Sequence, residues 1–146
     1  MRKTILMGVA IWASVAACGP SATESLQRTV VASVLQAAYG PNDTIKVSVR
    51  NASGALVFIS VSPPNCPVLE RNTADGWEPA DSDPLRLCPP DVSRPQWSAN
   101  ANDEVLIVQQ PVLTWMASGD YRYRVEVGRE SGGAVAITSN QFSIVQ

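Results

Sequence analysis

Ser118-Gly119-Asp120-Tyr121-Arg122-Tyr123-Arg124-Val125-Glu126-Val127 is the stretch on which the fold class turns. From Tyr121 onward the residues alternate, with Tyr121, Tyr123, Val125 and Val127 on one side and Arg122, Arg124 and Glu126 on the other. Successive side chains of an extended chain point to opposite faces. A period of two therefore predicts a strand over 120–127 with its tyrosines and valines in a core and its charged residues outside.

The same pattern recurs on both sides of this segment. Ile45, Val47 and Val49 alternate with Lys46, Ser48 and Arg50 in a predicted strand over 44–51, which Asn51-Ala52-Ser53-Gly54 turns. Before it, 29–36 is rich in β-branched residues and is closed by Tyr39-Gly40-Pro41-Asn42-Asp43. After it, the dense apolar run 55–61 predicts a strand buried on both sides, stopped by Pro63-Pro64. Short strands are expected at 66–71 and 76–80 around Asn72-Thr73-Ala74-Asp75, and another at 104–108. The segment 81–95 is rich in proline, aspartate and serine, and predicts a long loop. In 134–146, Val135 and Ile137 share a face that Phe142 and Ile144 join only after a one-residue shift, so a bulge is expected near Ser139-Asn140. Seven to eight short strands joined by turn residues predict an all-β antiparallel sandwich over 29–146.

The string Ser118 to Arg124 resembles the Gly-x-Tyr-Arg segment of bacterial immunoglobulin-like domains, and more loosely the tyrosine corner of immunoglobulin folds. Asn51-Ala52-Ser53, Cys66 ahead of Leu69-Glu70-Arg71, Gly76-Trp77-Glu78, a second cysteine and Ser139-Asn140-x-Phe142 match small envelope lipoproteins with such domains. The layout is also similar to the intracellular proteinase inhibitor group of bacteria. The resemblance implies an immunoglobulin-like β-sandwich for 29–146. It departs at Asn100-Ala101-Asn102-Asp103-Glu104, where the family has Pro-Gly-Glu; Asp103-Glu104 can make the same turn.

The N-terminal segment speaks to location. Arg2 and Lys3 precede an apolar run that closes on Val15-Ala16-Ala17-Cys18-Gly19. A basic start, a short apolar stretch and small residues before a cut site describe an export signal over 1–17. The run is shorter than the ~20 residues that span a bilayer as a helix. Its ending resembles the lipobox of bacterial lipoproteins. That resemblance implies lipid on Cys18, cleavage before it, and Gly19 directing the protein to the outer membrane, facing the periplasm or the cell surface. The alternatives are an unrelated cysteine after a signal-like segment, or secretion without lipid. Residues 18–28 are small and polar and predict a flexible tether.

Removal of 1–17 leaves 129 residues, nine basic and thirteen acidic, a net charge of −4. No basic patch attracts phosphate, so nucleic acid is not an expected partner. Cys66 and Cys88 form an even pair in an oxidising compartment, where a disulfide is expected. Closing a loop of that length contributes about 3.4 kcal/mol. Free buried thiols or a redox couple are the alternatives, and no C-x-x-C spacing supports the latter.

The chain has no histidine, which removes His-based triads and the commonest zinc ligand. No phosphate-loop, dinucleotide or nucleophile-elbow motif occurs, so no cofactor, no metal and no enzymatic activity are expected. Asp75, Glu78, Asp81, Asp83 and Asp91 are the one carboxylate concentration, and their spacing fits solvated loop charge better than an EF-hand. Trp77, Trp97 and Trp115, with Arg71, Arg86 and Arg94 nearby, are residue types enriched in binding hot spots; the alternative for each tryptophan is a place at the edge of the core. The expected function is a lipid-anchored, non-catalytic module that binds an envelope or extracellular protein. A proteinase inhibitor presenting a disulfide-held loop 81–95 is the alternative.

Overall fold

The computed structural model describes residues 22–61, 66–80, 96–130 and 132–146. Cys18, the signal segment and the loop 81–95 lie outside them. In chain order the elements are α1 (Ala22–Thr29), β1 (Val30–Val34), β2 (Ala38–Tyr39), β3 (Thr44–Asn51), β4 (Val57–Ser60), β5 (Val68–Thr73), β6 (Gly76–Pro79), β7 (Gln96–Ala99), β8 (Glu104–Pro111), β9 (Gly119–Gly128), β10 (Val135–Thr138) and β11 (Phe142–Ile144).

The strands form two sheets. The smaller has the order β1-β3-β8. The larger is built around β9, whose length lets it carry two neighbours on each side. Along one edge run β11, with Phe142 opposite Tyr121, and β10, with Val135 opposite Val127. Along the other run β5, with Glu70 opposite Arg122, and β4, with Ile59 opposite Val127. β6 extends the sheet from β5, β7 from β4 and β2 from β11. The β2–β11 pair is parallel and every other pairing among the described residues is antiparallel.

This is the expected all-β sandwich with more strands than the seven to eight anticipated. The additions are β2, β7 and the division of the last strand into β10 and β11. That division follows the anticipated shift. Thr138 faces Arg124 and Phe142 faces Tyr121, so four steps on one strand answer three on the other. The extra residue returns Phe142 and Ile144 to the core, where both are 1 % exposed. Ser139 heals the ladder at the break, because its Oγ accepts from the Tyr123 N–H at 2.9 Å. Asn140 turns away to pair its amide with both polar groups of the Val34 peptide, tying the break to β1.

The tether expected over 18–28 needs correction at its described end. Residues 22–29 are helical, with Glu24 in the first turn and Arg28 in the last, each matching the helix dipole. Eight residues are too few to hold a helix alone. Leu26, 2 % exposed, anchors it in the core. One apolar anchor leaves no periodic signal in the sequence.

The core lies between the sheets. Ile45, Val47 and Val49 of β3 meet Tyr121, Tyr123, Val125 and Val127 of β9, all nearly inaccessible to solvent. Phe142 stacks against Tyr121 and Tyr123 with centroids 6.1 Å away and meets Tyr39 edge-on at 5.5 Å. Tyr121 reaches back to donate its hydroxyl to the Ala117 carbonyl at 2.7 Å. That is the tyrosine corner of immunoglobulin-like domains. Where antibody domains place a cysteine two residues later, this chain has Tyr123. Its hydroxyl crosses the sandwich to Gln110 Oε1 at 3.1 Å.

Asn51 is the second polar bolt through the core. Fully buried, its amide donates toward the carbonyls of Ala55, Ala99 and Asn100 and accepts from the N–H and hydroxyl of Ser53. The turn that replaces Pro-Gly-Glu is fixed there too. Asn102 takes the left-handed conformation at φ 66°, and its N–H donates to the Asn51 carbonyl.

Candidate interaction surface

The alternation that buries the tyrosines of β9 presents Arg122 and Arg124 on the outer face of the larger sheet. β5 runs beside that stretch in a register that sets Glu70 directly opposite Arg122. Glu70 receives both guanidiniums, Arg122 Nε at 2.7 Å on Oε2 and Arg124 Nε at 2.9 Å on Oε1. Its side chain is 7 % exposed, against 27 % and 47 % for the arginines that cover it. On β6, Trp77 lies opposite Asn72, and its ring carries the Arg122 guanidinium 4.4 Å from its centroid.

Arg122 is thus fixed on two sides, by a carboxylate and by an indole face. Neither guanidinium gives its Nη hydrogens to an acceptor among the described residues. The buried Glu70 carboxylate is shared by two arginines, on a face that also offers an aromatic ring and the outward-facing Asp120 and Glu126 of β9. That arrangement can bind; it cannot supply a nucleophile or a general base. Among the described residues no group of three or more Cys, Asp or Glu is placed to hold a metal ion.

Of the residues singled out in the sequence for an interaction surface, Trp77 is in this cluster. Arg86 and Arg94 fall outside the described residues. Trp97 belongs to β7, a strand not anticipated from the sequence, with its backbone opposite Ile59. Cys66 is buried just ahead of β5 and its thiol is not free; Cys88 lies outside the described residues. Trp115 packs against the core, the alternative weighed for each tryptophan. Glu70, Arg122 and Arg124 were not singled out in the sequence. Their one trace there is the outward parity of 122 and 124, because Glu70 meets Arg122 only through a pairing 52 residues apart.

A second polar hollow lies where the β9–β10 hairpin meets β4, lined by Phe58, Ser60, Gly128, Arg129, Glu130 and Ala134. The buried Arg129 Nε has no hydrogen-bond partner among the described residues.

No protein-family model matches the chain, and no curated protein matches it. One solved structure with a similar chain is the ASH/PapD-like domain of human CEP192 (PapD-like domain 7). The two are 11 % identical over 97 % of this chain and 98 % of that one, with a TM-score of 0.37. So distant a likeness carries nothing about function; the immunoglobulin-like fold stands on the two sheets and the Tyr121 corner.

Proposed function

We propose that this protein is a non-catalytic interaction module anchored by lipid on Cys18 to a bacterial cell envelope, in the outer membrane. The observation that carries the module is the outer face of β5, β6 and β9, where Trp77, Arg122, Glu70 and Arg124 are locked together. Tryptophan and arginine dominate binding hot spots because they bring large contact area and directed hydrogen bonds to one place. Holding them rigid before binding lowers the ordering cost of association. The absence of histidine from the sequence supports recognition over catalysis. The anchor is supported by the small-small-Cys ending of the N-terminal segment, since two or more acyl chains hold durably where one does not. A Cys66–Cys88 disulfide would pin the loop 81–95 to the start of β5, close in sequence to this face.

Two measurements on the full chain test this reading. Cys18→Ser is expected to leave uncut precursor or released protein; a processed, membrane-bound variant contradicts the anchor. Co-purification from detergent-solubilised membranes is expected to yield a partner that Trp77→Ala loses. Val31→Ser, on the exposed face of β1, should keep it. Loss of the partner from Val31→Ser and not from Trp77→Ala would overturn the module's location.

A further inference from the structure

We infer that the outer face of the smaller sheet lies on the lipid surface that holds the protein's own anchor, with the β5–β6–β9 face turned away from it; this rests on the Cys18 anchor proposed above. The helix sets the reach. α1 begins at Ala22, four residues after Cys18, and four residues of fully extended chain span at most about 14 Å. α1 adds roughly 12 Å and runs directly into β1, an edge strand of the smaller sheet. A lipid on Cys18 is therefore held near that strand, and Trp77 stands on the opposite side of the sandwich.

The side chains on this face suit a lipid surface. Val31 points outward from β1 at 51 % exposure, Leu35 just past its end at 63 %, and Leu106 outward from β8 at 41 %. Of the five large apolar side chains exposed among the described residues, these three share one face. Between them β3 raises Lys46 beside Leu35 and Arg50 opposite Val31. Neither cation is paired among the described residues. The one carboxylate on the face, Glu104, accepts from the Ser48 hydroxyl. Asp43 and Asp103 stand in the turns beyond its ends, engaged there with Gly40 and Asn100. Apolar side chains enter the headgroup boundary while basic ones stay at its anionic oxygens. The opposite face, where Asp120, Glu126 and Glu70 outnumber Arg122 and Arg124, is poorly suited to anionic lipid. Three apolar side chains and two cations are too few to hold a membrane from solution. A short tether makes the contact intramolecular, at an effective concentration that its length sets.

The test places the protein, processed and purified from membranes, in phosphatidylglycerol nanodiscs that contain a lipid spin-labelled at its headgroup. Paramagnetic broadening of side-chain signals is the readout. The methyl signals of Val31, Leu35 and Leu106 are expected to be lost, and the Trp77 indole signal to be retained. Gly-Ser residues inserted after Ser21 to lengthen the tether about fourfold should lower the ratio of docked to undocked protein about eightfold. The K46Q/R50Q double variant should recover methyl intensity without lowering thermal stability. Loss of the Trp77 signal with the methyls retained, equal loss of all four signals, or methyl loss indifferent to both changes overturns the proposal. If mass spectrometry finds lipid on Cys18 and the methyls are nonetheless retained, the docking inference falls and the anchor stands. If Cys18 carries no lipid, both fall.

Discussion

At the scale of single residues, Tyr121 and Arg122 test the facing of β9 together. Tyr121→Phe removes one hydroxyl bond to the Ala117 carbonyl and is expected to cost about 1 kcal/mol. Tyr121→Ala opens a cavity beside Phe142 and should cost about 3–5 kcal/mol. From sequence alone Arg122 is an outward residue whose loss is nearly neutral. The structure changes that expectation, because Arg122→Ala strips a hydrogen-bonded partner from the buried Glu70 and uncovers Trp77. Its loss is expected to cost about 1–2 kcal/mol, in chemical denaturation of the three variants. The facing of each residue was legible from the period of two. The pairing was not, since nothing local tells Glu70 which strand lies beside it.

Burial pushes the Tyr123 hydroxyl well above its ordinary pKa of 10.0, with the neighbouring Tyr39 adding to the shift. Desolvation raises Tyr121 as well, opposed by Arg71. The folded state therefore holds these protons at a pH where the unfolded chain releases them. Stability is complete below about pH 10 and falls as pH rises beyond it. Denaturant midpoints across the alkaline range should show that decline, and Tyr123→Phe should flatten it. An alkaline profile unchanged by Tyr123→Phe would mean that the hydroxyl is not buried.

At the scale of elements, the break between β10 and β11 carries the most information. Its position near Ser139-Asn140 was legible because the apolar parity slips by one. How the chain repairs the slip was not, since that needs Tyr123 and Val34 in place. Ser139→Ala leaves the Tyr123 N–H buried without an acceptor and is expected to cost about 1–3 kcal/mol. Hydrogen exchange should show lost protection at the Tyr123 amide while Val47 in β3 is unaffected. Uniform loss across both sheets would mean that Ser139 is not a local repair. Two elements escaped the sequence for different reasons. α1 has a single core anchor, Leu26, and so no period. β7 is four residues of Gln-Trp-Ser-Ala whose strand character comes from pairing with β4, a tertiary effect that propensity does not carry.

At the scale of the whole molecule, the sandwich class followed from repeated short alternations and turn residues, and the tyrosine corner gave it the immunoglobulin-like form. The candidate surface was only partly visible. Trp77 stood out as a residue type, while the arginines flagged beside it were Arg71 of β5 and two in the loop 81–95. The ones that touch it come from β9, brought there by the order β6-β5-β9. Composition names the kinds of residue that bind, and topology decides which of them meet.

The central claim is that this face, and no other, meets the partner. Site-specific photo-crosslinking in cells tests it most directly. A photoreactive residue replaces the exposed Asn72, opposite Trp77, or the exposed Arg50, on the outer face of the smaller sheet. A discrete protein adduct from position 72, absent from position 50 and lost when Trp77→Ala is added, is the predicted result. Adducts from position 50 with none from position 72 would contradict it.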